Sequence, residues 1–230
     1  MSFSMTLRSS IAVASLALAS VAHAGNTTIV TNALVADSVQ AFSDTATKAF
    51  KLTSTVVSGA GNTVTVTSAT LPTFSFPITS ITVDSKLNIV KGDAKGSALK
   101  FVRAMDDGSQ AWVVLANFTI DYSAKKVLAD TTIPGVPTVK QQAIYDFNTN
   151  TPLSIKYKFP LAIVGHEVLD TLKLTEETKD SFLAGLQLED YLRAVLDKTD
   201  FGTLTQDVAV KLRPKAVSTK PYTVDETAAQ

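Results

Sequence analysis

Residues 99–122 constrain the fold more than any other stretch of the chain. They read LKFVRAMDDGSQAWVVLANFTIDY, two apolar runs separated by the polar residues 106–109. An Asp-Gly pair between apolar runs predicts a β-hairpin, because glycine accepts the positive φ of a tight turn. The second run is almost continuously apolar from Ala111 to Phe118, which is typical of a strand covered on both faces. We therefore expect a packed antiparallel sheet, and a further hairpin across residues 148–152, where NTNTP separates two strand-prone runs.

The rest of the chain predicts the same architecture with three helices added. Between residues 53 and 159, short strand-prone runs alternate with turn residues, which favours an antiparallel sandwich over βαβ units. Apolar residues at steps of three and four predict a helix from Ala33 to Lys51, with Asn32 as its N-cap. Two more helices are expected between Thr175 and Asp197, before a last strand from Leu204 to Leu212. The predicted fold is a mainly β, antiparallel β-sandwich with one N-terminal helix and a two-helix insertion before the last strand.

The first 24 residues have the pattern of a secretory signal peptide. Arg8 supplies the positive charge, residues 11–21 form a short apolar core, and Ala22-His23-Ala24 is a small-x-small cleavage site. The alternative is a membrane anchor, but the apolar run is shorter than the roughly 20 residues that a spanning helix needs. We expect an exported bacterial protein located in the periplasm, at the cell surface or outside the cell, without an integral membrane segment once the signal is removed.

Composition limits the partners and the domain organisation. The 21 basic and 21 acidic residues balance, so no basic surplus favours nucleic acid. There is no cysteine, which excludes a disulfide framework and any thiolate metal site. With 45% hydrophobic residues the chain can bury a large core. We expect a single domain over residues 25–213 and a polar, mobile tail over residues 214–230.

Few residues in the chain suit catalysis. After signal removal His166 is the one histidine, and the glycines form neither a nucleophile elbow nor a phosphate-binding loop. The acidic pairs Asp106-Asp107 and Glu176-Glu177 stand where a turn and a helix start favour acidic residues for backbone reasons. The sequence therefore predicts no catalytic residues, no metal site and no enzyme activity. His166 and Tyr157 are the candidate ligand-binding residues, and the alternative for His166 is a packed histidine near a strand end.

The C-terminal half resembles a known group of proteins. The segments that carry the resemblance are ANFTIDYSAKKVLAD, IYDFNTNTPLSIKYKF, LKLTEETKDSFLAGLQL and DFGTLTQDV. Together they resemble exported bacterial β-sandwich proteins of the HtaA-like kind. The resemblance implies an exported β-sandwich and a haem-uptake context, with haem as a candidate cofactor. Among the residues present, His166 or a tyrosine could serve a haem or another flat apolar ligand as an axial ligand.

Three classes of function stay open at this level. The first is a non-catalytic surface or matrix protein that acts through a protein partner or self-association, with the strand-prone residues 25–32 as a candidate arm. The second is a binder of a small apolar ligand such as haem, held between the sandwich and the helices of residues 175–197, with His166 or Tyr157 at the wall. The third is an enzyme. The scarcity of catalytic residue types places the first class ahead.

Overall fold

A computed structural model describes residues 25–86, 88–158 and 162–224. The predicted signal peptide, residues 1–24, lies outside the described residues. The strands are β1 (Thr27–Val30), β2 (Leu34–Ala41), β3 (Thr55–Gly61), β4 (Val64–Thr65), β5 (Thr73–Pro77), β6 (Ser80–Val83), β7 (Ile89–Ala104), β8 (Gln110–Asp121), β9 (Lys126–Ile133), β10 (Val136–Lys158), β11 (Ala162–Leu174) and β12 (Thr203–Leu212). The helices are α1 (Asp44–Leu52), α2 (Glu176–Gly185) and α3 (Arg193–Lys198), with a 3₁₀ turn at Asp190–Leu192.

All twelve described strands belong to one antiparallel sheet. Its order is β1-β6-β7-β8-β9-β10-β11-β12-β2-β5-β4, with β3 added beside β7. β5 pairs with β2 near one end of this order, and β6 pairs with β7 near the other. Because only Ile78 and Thr79 separate β5 from β6, the sheet must curl until its two ends meet. Its halves therefore face each other across one core, which confirms the predicted mainly β, sandwich-like fold with its helices.

The hairpin predicted over residues 99–122 is confirmed. β7 and β8 pair from Ala104↔Gln110 onward, and Gly108 in the turn has φ +85°. β8 is buried from Ala111 to Ile120 and lies between β7 and β9. Its continuous apolar run therefore matches a central strand covered on both faces.

The helix predicted from Ala33 to Lys51 is wrong in its first half. Residues 34–41 form β2, and the helix begins only at Asp44, where the Ser43 hydroxyl rather than Asn32 caps it. The residues that β2 buries are Ala36, Ser38 and Gln40, at the period of two that a strand requires. Two of these three are polar, so their inward position was hidden from a search for apolar periodicity.

The hairpin predicted across residues 148–152 is also wrong. β10 runs unbroken from Val136 to Lys158 and pairs with β11 along most of its length. The turn-forming residues lie inside this strand, where the register shifts between Asp146 and Ser154. The Asn, Thr and Pro residues are thus accommodated at irregular positions of the β10–β11 pairing. Pro152 fits such a position because it has no backbone N–H to donate to the partner strand.

The C-terminal segment lies on the outer face of β7 and β8. The Asn117 side chain bonds both backbone groups of Tyr222, accepting from its N–H at 2.7 Å and donating to its carbonyl oxygen at 2.9 Å. The Tyr222 and Val224 side chains pack on a small apolar cluster that includes Trp112 and Ala98. The predicted tail is therefore placed, as far as residue 224, by specific bonds; its mobility stays a prediction.

The helices close one end of the curled sheet. Phe50 of α1 and Phe182 of α2 pack against Phe101 of β7, with ring centroids 5.8 Å and 4.9 Å apart. α2 approaches β8 so closely that a Cβ on Gly185 would lie 2.5 Å from Val113 Cγ2 and 2.9 Å from the Trp112 carbonyl oxygen. A residue without a side chain is therefore required at this contact, and this end of the core is tightly packed.

Candidate functional site

A cavity of about 40 Å³ lies inside the curled sheet, away from the helices. Most of its wall is apolar and comes from strands on both halves of the sheet, including Phe76 of β5, Phe118 and Ile120 of β8, Val127 of β9 and Val208 of β12. One water needs roughly 10–15 Å³ measured in this way, so the space suits a group of a few non-hydrogen atoms.

A row of polar side chains forms one side of this cavity. The strand register places Glu167 of β11 directly opposite Gln206 of β12, and Gln206 directly opposite Ser38 of β2. All three residues are buried and line the cavity. Side chains at directly paired positions have Cβ atoms about 5 Å apart, so the row forms one continuous polar strip.

Gln206 is the unusual member of this row. It is only 2% exposed, and neither its side-chain oxygen nor its side-chain nitrogen has a hydrogen-bond partner among the described residues. Leaving buried polar atoms without a partner costs about 1–3 kcal/mol for each group. A free amide at a cavity wall is therefore a costly feature for stability, and it offers both a donor and an acceptor to whatever enters the cavity.

Glu167 carries the ionisable group of the row. The Tyr122 hydroxyl donates to Glu167 Oε2 at 2.6 Å. Burial raises the pKa of the Glu167 carboxyl, and the bonds from Tyr122 and from the backbone N–H of Leu153 offset part of this effect. Burial and the neighbouring Glu167 in turn raise the pKa of Tyr122, so this phenol stays protonated and acts as a donor.

A second polar pair adjoins the row. Gln40 of β2 donates from Nε2 to the Tyr145 hydroxyl of β10 at 3.2 Å, across the core. Burial raises the pKa of Tyr145, which is therefore neutral at physiological pH. This bond links β2 to β10, and both of its side chains line the cavity.

Of the two predicted ligand residues, the structure places His166 away from this cavity. His166 lies within β11 on the outer side, its side chain 51% exposed, with Nδ1 2.8 Å from Oδ1 of Asp207. Because neighbouring residues in a strand point to opposite faces, the buried Glu167 and the exposed His166 serve different surfaces. The backbone of Tyr157 pairs with Ile163, and its side chain lies outside the described residues. A ligand role for either residue stays a prediction.

The space under the late helices does not suit a haem. It has a volume of about 20 Å³, its lining includes Phe50, Phe182 and Phe201, and His166 is not at its wall. Pockets for drug-sized ligands have volumes of roughly 300–1,000 Å³. The larger interior cavity is also far below this range and has a carboxyl rather than a histidine in its wall. Neither of these two interior spaces therefore fits the haem that the resemblance implied.

Other chemistry finds little support in the described residues. In residues 25–86, 88–158 and 162–224, no three His, Asp or Glu side chains converge in a way that could hold a metal ion. The predicted acidic pair Asp106-Asp107 lies in the hairpin turn, where Asp107 bonds Ser109. Across the same described ranges, no helix is both long enough and apolar enough to cross a membrane.

Comparison with known proteins gives one similarity. The structure is similar to a crystal structure of the C-terminal domain of HtaA from Corynebacterium glutamicum, with 11% sequence identity and a TM-score of 0.48 over 77% of this chain and 98% of that one. This is the group that the C-terminal half of the sequence resembles. No protein-family description matches the sequence. No curated protein matches it either.

Sequence reasoning missed the residues of the polar row. Ser38 was assigned to a helix, and neither Glu167 nor Gln206 was predicted to face an interior cavity. The signal that could have found them is a polar residue at an inward position of a strand, since such a residue violates the alternation of buried apolar and exposed polar side chains. This signal becomes visible only when the strand register is known.

Proposed function

We propose that the protein is an exported, non-catalytic binding protein whose interior cavity holds a small ligand with a short apolar part and one hydrogen-bonding group. The observation that carries this proposal is Gln206, whose buried amide lines the cavity without a protein partner. The signal-peptide pattern of residues 1–24 supports export, and the scarcity of catalytic residue types supports a binding role.

The chemistry of the wall defines this ligand class. The apolar side chains favour a hydrocarbon part, because burying it removes apolar surface from water. The Gln206 amide favours a head group that forms hydrogen bonds, because such a group satisfies at least one of the two unpaired atoms. The small volume limits the ligand to a few non-hydrogen atoms.

Size also limits the affinity. The best small ligands gain about 1.5 kcal/mol for each non-hydrogen atom, so a ligand of four such atoms gains at most about 6 kcal/mol. This corresponds to a Kd on the order of tens of micromolar at best, and millimolar values are ordinary for such fragments. Binding must therefore be measured at high ligand concentration.

The test uses short probes and one variant of the cavity wall. We would titrate 1-propanol, propionamide and propylammonium into the folded chain and follow two sets of resonances by NMR. These are the side-chain amides and, in the variants as well, the methyl groups of Ile120 and Val127 at the cavity wall. We expect at least one probe to shift the Gln206 amide resonances with saturation. The Gln206→Leu variant should weaken binding of that probe by about tenfold, because one good hydrogen-bonded group is worth about 1.4 kcal/mol.

The control is Gln110→Leu, the same change at an exposed position at the start of β8. This variant should bind like the unmodified chain. The proposal fails if no probe shifts the Gln206 amide, or if Gln206→Leu binds every probe as tightly as the control variant does.

A second candidate function is self-association through β1. Among the described strands, β1 pairs only with β6, which leaves its other edge open. All four of its residues are exposed, Val30 to 66%, and the strand contains neither a charged residue nor a proline. Exposed edge strands usually carry such residues, since these block pairing with another chain. We therefore propose that β1 of a second copy can add to this edge.

The variant Val30→Lys tests this function. Sedimentation velocity over a range of concentrations should show association of the unmodified chain and a loss of association in Val30→Lys. Leu52→Lys on α1, which also replaces a well-exposed apolar residue, should associate normally. A chain that is monomeric at every concentration would refute the role of β1.

A further inference from the structure

We infer that the interior cavity selects a ligand whose head group is a cation, a small primary amine in its ammonium form. This inference rests on the proposed function, because it names the ligand class of the same cavity. It is carried by the row Glu167–Gln206–Ser38, which presents a carboxyl, an amide oxygen and a hydroxyl side by side on the inner face of three neighbouring strands.

The charge of the cavity wall is one-sided. Its ionisable side chains are Glu167, Asp93, Tyr122 and Tyr145, and no lysine, arginine or histidine is among the described residues that line it. The Asp93 carboxyl is already bonded by Thr119 at 2.7 Å and by Ser80 at 2.8 Å. Glu167 likewise has only neutral partners among the described residues, the Tyr122 hydroxyl and a backbone N–H, and it is the carboxyl that stands beside the unpaired amide of Gln206.

A cation supplies the positive charge that the described part of the cavity wall lacks. A buried carboxylate without an opposite charge is costly, and an opposite charge within about 4–6 Å favours its ionised form. An ammonium group has three donors and no acceptor. Glu167, the side-chain oxygen of Gln206 and the hydroxyl of Ser38 are three acceptors in one row, so each donor of the ammonium group finds one.

The same geometry disfavours anions. A carboxylate ligand would face Glu167 at close range, and two like charges in one site repel each other and force one of them to take up a proton. In the row it would find the donors of the Gln206 amide and the Ser38 hydroxyl, while the Tyr122 hydroxyl already serves Glu167. Neutral alcohols fall between the two, because they can bond Gln206 without compensating the charge.

The experiment compares probes that differ in charge. Propylammonium and 1-propanol have the same number of non-hydrogen atoms, and propionate supplies the opposite charge. Each is titrated into the folded chain at pH 7 and followed by NMR at the Gln206 amide. We expect propylammonium to bind about tenfold more tightly than 1-propanol, because hydrogen bonds to an ionised acceptor are about twice as strong as neutral ones, and propionate not to bind.

The variant Glu167→Gln removes the charge and keeps a side chain of the same shape. Propylammonium and 1-propanol should then bind within about twofold of each other, since the charge-assisted bond is lost. Glu177→Gln, a change at an exposed position of α2, should keep the preference for propylammonium. If Glu167→Gln does not fold, the three probes on the unmodified chain still decide.

The outcomes separate this inference from the function on which it rests. If 1-propanol shifts the Gln206 amide and propylammonium binds no more tightly, the cavity binds ligands and the charge preference is refuted. The same holds if Glu167→Gln keeps the full preference. If none of the probes shifts the Gln206 amide resonance, the proposed function fails and the inference fails with it.

Discussion

The two ends of the core share one curled sheet and have opposite chemistry. At the helix end, the side chains of Phe42, Phe50, Phe101, Phe182 and Phe201 pack ring against ring, with centroids 4.9–6.3 Å apart. At the other end, the row of Glu167, Gln206 and Ser38 faces a cavity. β2 and β12 contribute residues to the cavity end. The strands around them contribute residues to both ends.

The difference separates stability from function within one core. The aromatic end buries large apolar surfaces in offset or edge-on contacts, each of which adds to the area term. The polar end buries a carboxyl and an amide that reduce stability unless something pairs with them. Features that a fold keeps at a cost to its stability are more informative about function than features that stabilise it.

The largest expected effect is at the aromatic end. Phe101→Ala removes a fully buried ring that contacts three other rings, and we expect a loss of about 3–5 kcal/mol in the free energy of unfolding. Urea denaturation measures the change. Val56→Ala, at an exposed position of β3, should cost less than about 0.5 kcal/mol. Similar losses for the two variants would show that the aromatic end is not the source of stability.

At the polar end, a change that destroys the site should stabilise the fold. Gln206→Leu replaces two unpaired buried atoms by apolar ones of similar volume, and we expect a gain of about 1–2 kcal/mol in the free energy of unfolding. The measurement is again urea denaturation, without added ligand. A loss of stability would mean that the Gln206 amide is paired in solution by ordered water, and the contrast between the two ends would weaken.

Glu167→Gln should change how stability depends on pH. Because burial raises the pKa of Glu167 in the folded protein, the folded state holds its proton more tightly than the unfolded state does. This group therefore destabilises the fold as pH rises through its unfolded value near 4.5 and on through its raised folded value. The variant should gain about 1 kcal/mol relative to the unmodified chain near neutral pH, an advantage that is absent below pH 4. Denaturation curves at pH 3.5 and 7.5 measure this, and an advantage of equal size at both values would contradict it.

The smallest effect is expected on the outer face. His166→Ala removes the contact with Asp207. Because both side chains of this contact are exposed, we expect the free energy of unfolding to change by less than about 0.5 kcal/mol. Binding of the probes in the cavity should be unaffected, because His166 does not line it. A large loss of probe binding in this variant would move the binding site to the outer face.

Much of the fold was accessible from local signals. The hairpin at residues 106–109 and the helix start at Thr175 were predicted because a turn and a cap are decided by a few adjacent residues. β2 and the middle of β10 were mispredicted for the opposite reason. Ser38 and Gln40 are inward-facing only because β12 and β5 lie on either side of β2, and residues 148–152 stay extended because β11 pairs with them.

The candidate site depended on the same long-range pairing. Glu167 and Gln206 are 39 positions apart, and Ser38 lies a further 129 positions from Glu167 toward the N-terminus, yet the register aligns all three in one row. Composition and residue types limited the chemistry from the start: the chain has no cysteine, one histidine after the predicted signal peptide and balanced charge. Which polar residues become buried was decided by tertiary structure alone, because burial is a property of the strands packed around a side chain and not of the residues beside it in sequence.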